Sequence, residues 1–98
     1  MTYILEKLYN DKYKFKITLP SKKSLKFGDS KYEDYTYHGN YDRMLRYLAR
    51  HNKEDWSKKN IASKAFWSRW LLWSKPSLKL AINYIQKKFN ITIKQIKK

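Results

Sequence analysis

The chain of 98 residues carries 23 Lys and Arg against 8 Asp and Glu, a formal net charge of +15, and contains no Cys and two His. This length allows one domain with a single modest core. The composition excludes disulfides and thiolate metal sites, and leaves a structural zinc site dependent on carboxylates. No apolar run approaches the length of a membrane span, and Glu6 and Asn10 fall where a signal peptide would be continuously apolar. A soluble protein of a reducing compartment is expected, with no cofactor.

In chain order, residues 3–8 read as a first strand, joined through Asn10-Asp11 to a second over residues 12–19. There Tyr13, Phe15, Ile17 and Leu19 point one way and Lys12, Lys14, Lys16 and Thr18 the other, the period-2 pattern of a half-buried strand. Pro20-Ser21-Lys22-Lys23 reads as a turn, and residues 24–27 return as a short strand ended by Gly28. Residues 29–39 are rich in Tyr and acids without a clean period, a connection with room for a brief strand at residues 35–37.

Asn40 suits the cap of a helix over residues 41–52. On it Tyr41, Met44, Leu45, Leu48 and Ala49 gather on one side, and Arg43, Arg46 and Arg50 lie within about 60° of one another on the opposite side. Residues 51–60 form a polar loop whose Trp56 is expected to fold back onto the core, and Ser63 can cap the next helix.

Residues 65–76 are the densest apolar stretch, with Phe66, Trp67, Trp70, Leu71 and Trp73 covering an arc of roughly 160° on a helix. Buried aromatics dominate the energetics of a core, so this segment is expected to be its centre, with Trp70 among its core residues. Arg69 within it is expected to stack on Trp or to pair with Glu33 or Asp34. Lys75-Pro76-Ser77 breaks the chain and starts a last helix with an apolar stripe of Leu78, Ala81, Ile82, Ile85 and Phe89, ended by Asn90 in a left-handed stop. Residues 91–93 alternate like a further strand, leaving Lys94, Lys97 and Lys98 as a basic end. The fold class expected is α+β: a small antiparallel sheet from the N-terminal strands, with the C-terminal strand as an addition, packed with three helices around an aromatic core.

The charge points to a polyanion, and it is uneven, because residues 61–98 carry 9 basic side chains and no carboxylate. Guanidinium groups bind phosphate bidentately, which makes Arg43, Arg46 and Arg50 the leading candidates for nucleic-acid binding. Lys12, Lys14 and Lys16 form a second candidate row, against their use as guards on an edge strand, with Lys79 and Lys87 of the last helix assisting. Most of the nine Tyr are expected to face the core rather than to stack on bases. Duplex DNA is the first partner expected, with homodimerisation open and no membrane. An acidic partner protein bound by a structural or adaptor protein is the alternative. A metal-dependent nuclease built on Asp34, His38 and Asp42 with Glu33 is a weaker one, since spacing at every fourth residue has little specificity.

At FGDSKYEDYTYH, RYLARH and FWSRWLLWSKPSL the chain resembles a family of short basic proteins of unknown function encoded by nucleocytoplasmic large (giant) DNA viruses. The likeness runs from about Lys12 to Phe89. It is most specific at Phe27-Gly28, Tyr35-Thr36, His38, Arg50-His51, Trp56 and residues 66–76, while residues 60–64 depart from the Gly- and Thr-containing loop of that family. No catalytic residue comes with the resemblance. It implies a viral origin, a place in the virion or in the cytoplasm or nucleus of an infected host cell, and the packaging or organising of viral DNA.

Overall fold

A computed structural model describes residues 1–96. The element order is β1 (Thr2–Lys7), β2 (Tyr13–Thr18), β3 (Ser24–Asp29), α1 (Tyr35–His38), α2 (Tyr41–Arg50), a 3-10 turn (Lys58–Asn60), α3 (Lys64–Trp67), a π-helical turn (Ser68–Leu72), α4 (Leu78–Phe89) and β4 (Thr92–Ile96). Lys97 and Lys98, expected to share a basic end with Lys94, lie outside the described residues.

The alternation in β2 works as the sequence implies, burying Phe15 and Ile17 while Lys14 and Lys16 turn outward and stay half-buried. Pairing extends that apolar face across the sheet: Ile17 lies opposite Leu5 of β1 and Leu25 of β3, and Phe15 opposite Phe27. β4 then joins β1 in parallel, with Tyr3 opposite Ile93, in the order β3-β2-β1-β4. The antiparallel pairing expected of the N-terminal strands holds, and the C-terminal strand adds to it in parallel, which makes the sheet a mixed one. A parallel neighbour needs a long crossover, and the helical segments between β3 and β4 supply it. The α+β class itself stands.

Residues 35–37 form a helical turn, not a strand. Asp34 accepts a hydrogen bond from the Thr36 amide at 2.9 Å, and Gly39 closes the turn at φ 60°. Local capping at both ends outweighs the strand preference of the Tyr residues.

The densest apolar stretch is shorter and wider than the regular helix expected over residues 65–76. α3 gives way after one turn to the π-helical turn, which ends at Leu72 and leaves Trp73 outside. Trp67, 0% exposed, is the centre of the core: its indole N–H donates to the Ile61 carbonyl at 2.7 Å and its ring meets Tyr3 and Phe27. Trp70, expected as a core residue, is half-buried instead, edge-on to Phe89, with its indole N–H donating to the Trp56 carbonyl at 2.8 Å. Ser63 caps α3 through the Phe66 amide, and Asn90 ends α4 at φ 54°, as the sequence implies. α4 buries Ala81, Ile82, Ile85 and Phe89 against the sheet-facing core.

Candidate nucleic-acid interface

The flank of the sheet beyond β3 carries the arginine helix, and three attachments hold it there. Gly28 takes φ 78°, and the place a side chain would occupy lies 2.7 Å from Leu72 Cδ1, so the π-helical turn packs directly on the β3 backbone. Lys14, on the outward side of β2, forms an ion pair of 2.6 Å with Asp34, which also caps α1 and accepts from the Thr36 hydroxyl. Tyr47 of α2 stacks on Trp73, with centroids 4.5 Å apart and planes 3° from parallel.

That stack rotates α2 relative to the sequence reading. Met44 and Tyr47 are buried and Leu48 is half-buried, whereas Tyr41, Leu45 and Ala49 are exposed. The buried side thus lies roughly 90° around the helix from the expected apolar side, and the three arginines flank it instead of standing opposite. The cause is that a stacked Tyr buries more area than Leu or Ala would at this seam.

Arg43, Arg46 and Arg50 consequently line a cleft of about 530 Å³ between α2 and the flank of the sheet, together with Lys14. These are four of the eight candidate binding residues. The other four line other surfaces: Lys12 precedes β2 and places its ammonium 5.8 Å from the Tyr13 ring, Lys16 lies 3.6 Å from Glu6, and Lys79 and Lys87 are exposed on α4. The lysine row expected along β2 is therefore not a continuous one, because Lys14 and Lys16 each meet an acid.

Asp29, Glu33 and Asp34 share the cleft with the cations. Their partners are assigned: Glu33 takes Arg43 at 3.2 Å, Asp34 takes Lys14, and Asp29 accepts from the Lys31 amide at 2.9 Å. Arg46 and Arg50 form no ion pair with an acid among the described residues. Two guanidinium groups one turn apart are thus left to bind an anion, with five N–H donors each.

Tyr32 (69% exposed), Tyr47, His51 and Trp73 complete the aromatic part of the lining. Sequence reasoning missed these four. Tyr47 was legible only as the fourth residue after Arg43, on the arginine side of the helix, and Tyr32 only as part of the Tyr-rich connection. Three of the nine Tyr are buried and four are exposed, so the expectation that most face the core is corrected. Burial, with the Glu54 charge adding to it, pushes the Tyr47 hydroxyl up to about 12. That ring therefore stays neutral.

His38 accepts from the Asn40 amide at 2.8 Å through Nδ1, and its buried Nε2 has no hydrogen-bond partner. Burial, then the charge of Arg43, holds its imidazole below the usual histidine range. Arg69 stacks on Trp70 and Trp56, with distances of 4.2 and 5.3 Å to the ring centroids, and donates to the Trp73 carbonyl at 2.9 Å. The stack on Trp forms, but the pairing with Glu33 or Asp34 does not. Burial lowers the pKa of the Arg69 guanidinium.

Among the described residues no group of three or more His, Asp or Glu able to hold a metal ion is gathered. Asp34 and His38 serve the capping and turn of α1, and Asp42 sits in the first turn of α2. No helix among the described residues is long and apolar enough to cross a membrane.

Residues 4–51, just under half of the chain, are similar to a family of unknown function (DUF5754). The matched part runs from within β1 to just past α2 and includes all four cations of the cleft, while Trp73 lies beyond it. No curated protein and no solved structure matches the chain.

Proposed function

We propose that the protein binds nucleic acid largely irrespective of sequence, through phosphate contacts centred on Arg46 and Arg50 with Arg43 and Lys14 beside them. The observation that carries this reading is that Arg46 and Arg50 line a cleft and have no acid partner among the described residues, in a chain of net charge +15. Phosphate contacts position a protein on a backbone without reading its bases, and no Gly-rich phosphate loop competes for the role, since the chain has only two Gly. Lys12, Lys16, Lys79 and Lys87 then supply diffuse attraction from outside the cleft.

The resemblance to giant-virus proteins supports duplex DNA as the partner and packaging or organising of viral DNA, in the virion or infected cell, as the role. The adaptor reading keeps one observation in its favour: Tyr41 and Leu45 are exposed on the outer side of α2, an apolar pairing that suits a protein partner. All four Trp, by contrast, are buried or half-buried. A titration of labelled duplex DNA followed by fluorescence anisotropy at several salt concentrations tests the proposal. Binding that is absent at low salt overturns it.

A further inference from the structure

We infer that the cleft between α2 and the β3 flank takes one unstacked nucleotide, so that the protein prefers single-stranded segments or strand ends over an intact duplex. This inference rests on the phosphate-binding reading above and adds the form of nucleic acid that fits.

The geometry separates two kinds of contact. Phosphates of a duplex reach a protein wherever cations stand on a convex or grooved surface, because they form the outer rim of the double helix. Its bases are stacked and paired inside, and an aromatic side chain gains nothing from them unless the strand is opened. Here Arg46 and Arg50 line a concave site whose volume of about 530 Å³ lies in the range of small-molecule pockets. It also has an aromatic component that backbone binding does not use.

Tyr32 is the part of that component with a function still to be assigned. It follows β3 in the chain, it lines the cleft, and 69% of its surface is open. Its side chain forms no hydrogen bond, ion pair or ring contact with a described residue, and only its backbone is engaged, the amide donating to the Asp29 carbonyl at 3.2 Å. A large apolar ring left uncovered beside two uncommitted guanidinium groups provides the stacking platform and the phosphate contact from which single-strand sites are made. Glu33 and Asp34 are held by Arg43 and Lys14, which leaves Arg46 and Arg50 as the lining cations with no acid partner among the described residues.

The test compares a labelled oligothymidylate with a blunt duplex of equal phosphate number, each titrated with the full chain and with its Tyr32→Ala and Arg46→Gln/Arg50→Gln variants. Tyr32 is exposed, so its replacement leaves the fold intact, and circular dichroism verifies that. The single strand should bind at least about tenfold more tightly than the duplex, a difference of the size one stacked base supplies. Tyr32→Ala should lose most of that advantage and leave duplex affinity within about twofold, whereas the double arginine variant should weaken both probes. Duplex binding as tight as single-strand binding, or a Tyr32→Ala loss equal for both probes, overturns this inference and leaves the phosphate reading standing. If neither probe binds at low salt, both readings fall.

Discussion

The rings of Tyr47 and Trp73 lie 3° from parallel at 4.5 Å, and this single stack ties the arginine helix to the aromatic segment that carries the core. His51 adds a third ring at 4.3 Å from Tyr47, and His38 reaches Trp73 at 5.5 Å, so that α1, α2 and the end of the π-helical turn converge on one spot. The position of Arg43, Arg46 and Arg50 therefore depends on aromatic packing as well as on the Lys14–Asp34 ion pair.

The first expected outcome follows from that dependence. Tyr47→Ala should destabilise the domain by about 2 to 4 kcal/mol, the lower part of the large-to-small range, because Trp73 is only half-buried and its surroundings can relax. A double-mutant cycle with Trp73→Ala should return a coupling of about 1 kcal/mol. Denaturant melts of the four proteins measure both, and a coupling near zero would mean that the stack is incidental.

The core makes a sharper comparison. Trp67→Ala should cost about 3 to 5 kcal/mol, a large part of the roughly 5 to 15 kcal/mol that stabilises a typical domain. Trp70→Ala should cost clearly less, since that ring is half-buried and part of its area is covered by Arg69 and Lys88, which can move. Thermal melts ranking Trp70 above Trp67 would displace Trp67 from the centre of the fold.

What was legible in the sequence was local. The second strand shows a clear alternation, the caps Asn40, Ser63 and Asn90 sit where side-chain chemistry puts them, and the stripe of α4 is a plain helical period. What was not legible depended on partners distant in the chain. The apolar side of α2 was misjudged because Leu45 and Ala49 look more buried than Tyr47 by residue type alone, and only Trp73, from another element, reverses the order. The parallel pairing of β4 with β1 is set by the path of the crossover, which no pattern within residues 92–96 encodes. The cleft was half legible: its arginines were read from their spacing, while Lys14, Tyr32 and Trp73 join them only through the tertiary fold.

Gly28 offers a test of how the flank is built. Its φ of 78° is unfavourable for any L side chain, and a methyl group there would meet Leu72, itself only 2% exposed and closely packed. Gly28→Ala should cost about 1 to 2 kcal/mol from the backbone alone, with further loss as Leu72 is displaced. Gly39→Ala, also at positive φ but with open space apart from Pro76 at 3.9 Å, should show the backbone cost without the displacement. Equal losses at the two positions, by urea denaturation, would deny the close approach of the π-helical turn to β3.

His38 gives stability a pH dependence with a defined sign. Its pKa is lowered in the folded chain by burial first, so the unfolded chain takes up a proton more readily. This contribution is constant above the unfolded value of about 6.5 and is lost progressively as pH falls below it. Melting temperatures should thus drop between about pH 7 and about pH 5, and His38→Gln should flatten the drop in that window. An unchanged slope in the variant would assign the effect to other groups.

The arginine face can be separated from bulk charge by two triple replacements that each remove three positive charges. One changes Arg43, Arg46 and Arg50 to Gln; the other changes Lys23, Lys58 and Lys94, which are exposed and lie outside the cleft. If binding followed net charge alone, the two would lose affinity for duplex DNA equally. If the cleft holds the phosphates, the arginine variant should lose about 2 to 3 kcal/mol, because its guanidinium groups are fixed on a helix and bind bidentately. The slope of log K against log salt should start near about −4 to −5, the value for about five neutralised phosphates, and fall by about 2 to 3 units in the arginine variant. The smaller fall is the more informative, since Arg43 already pairs with Glu33 at 3.2 Å and contributes to phosphate binding only by giving up that partner. A further variant, Glu33→Gln, frees Arg43 and removes a negative charge from the cleft, so it should raise affinity. Equal losses for the two triples in the same buffer, with no gain from Glu33→Gln, would remove the cleft from the binding mechanism.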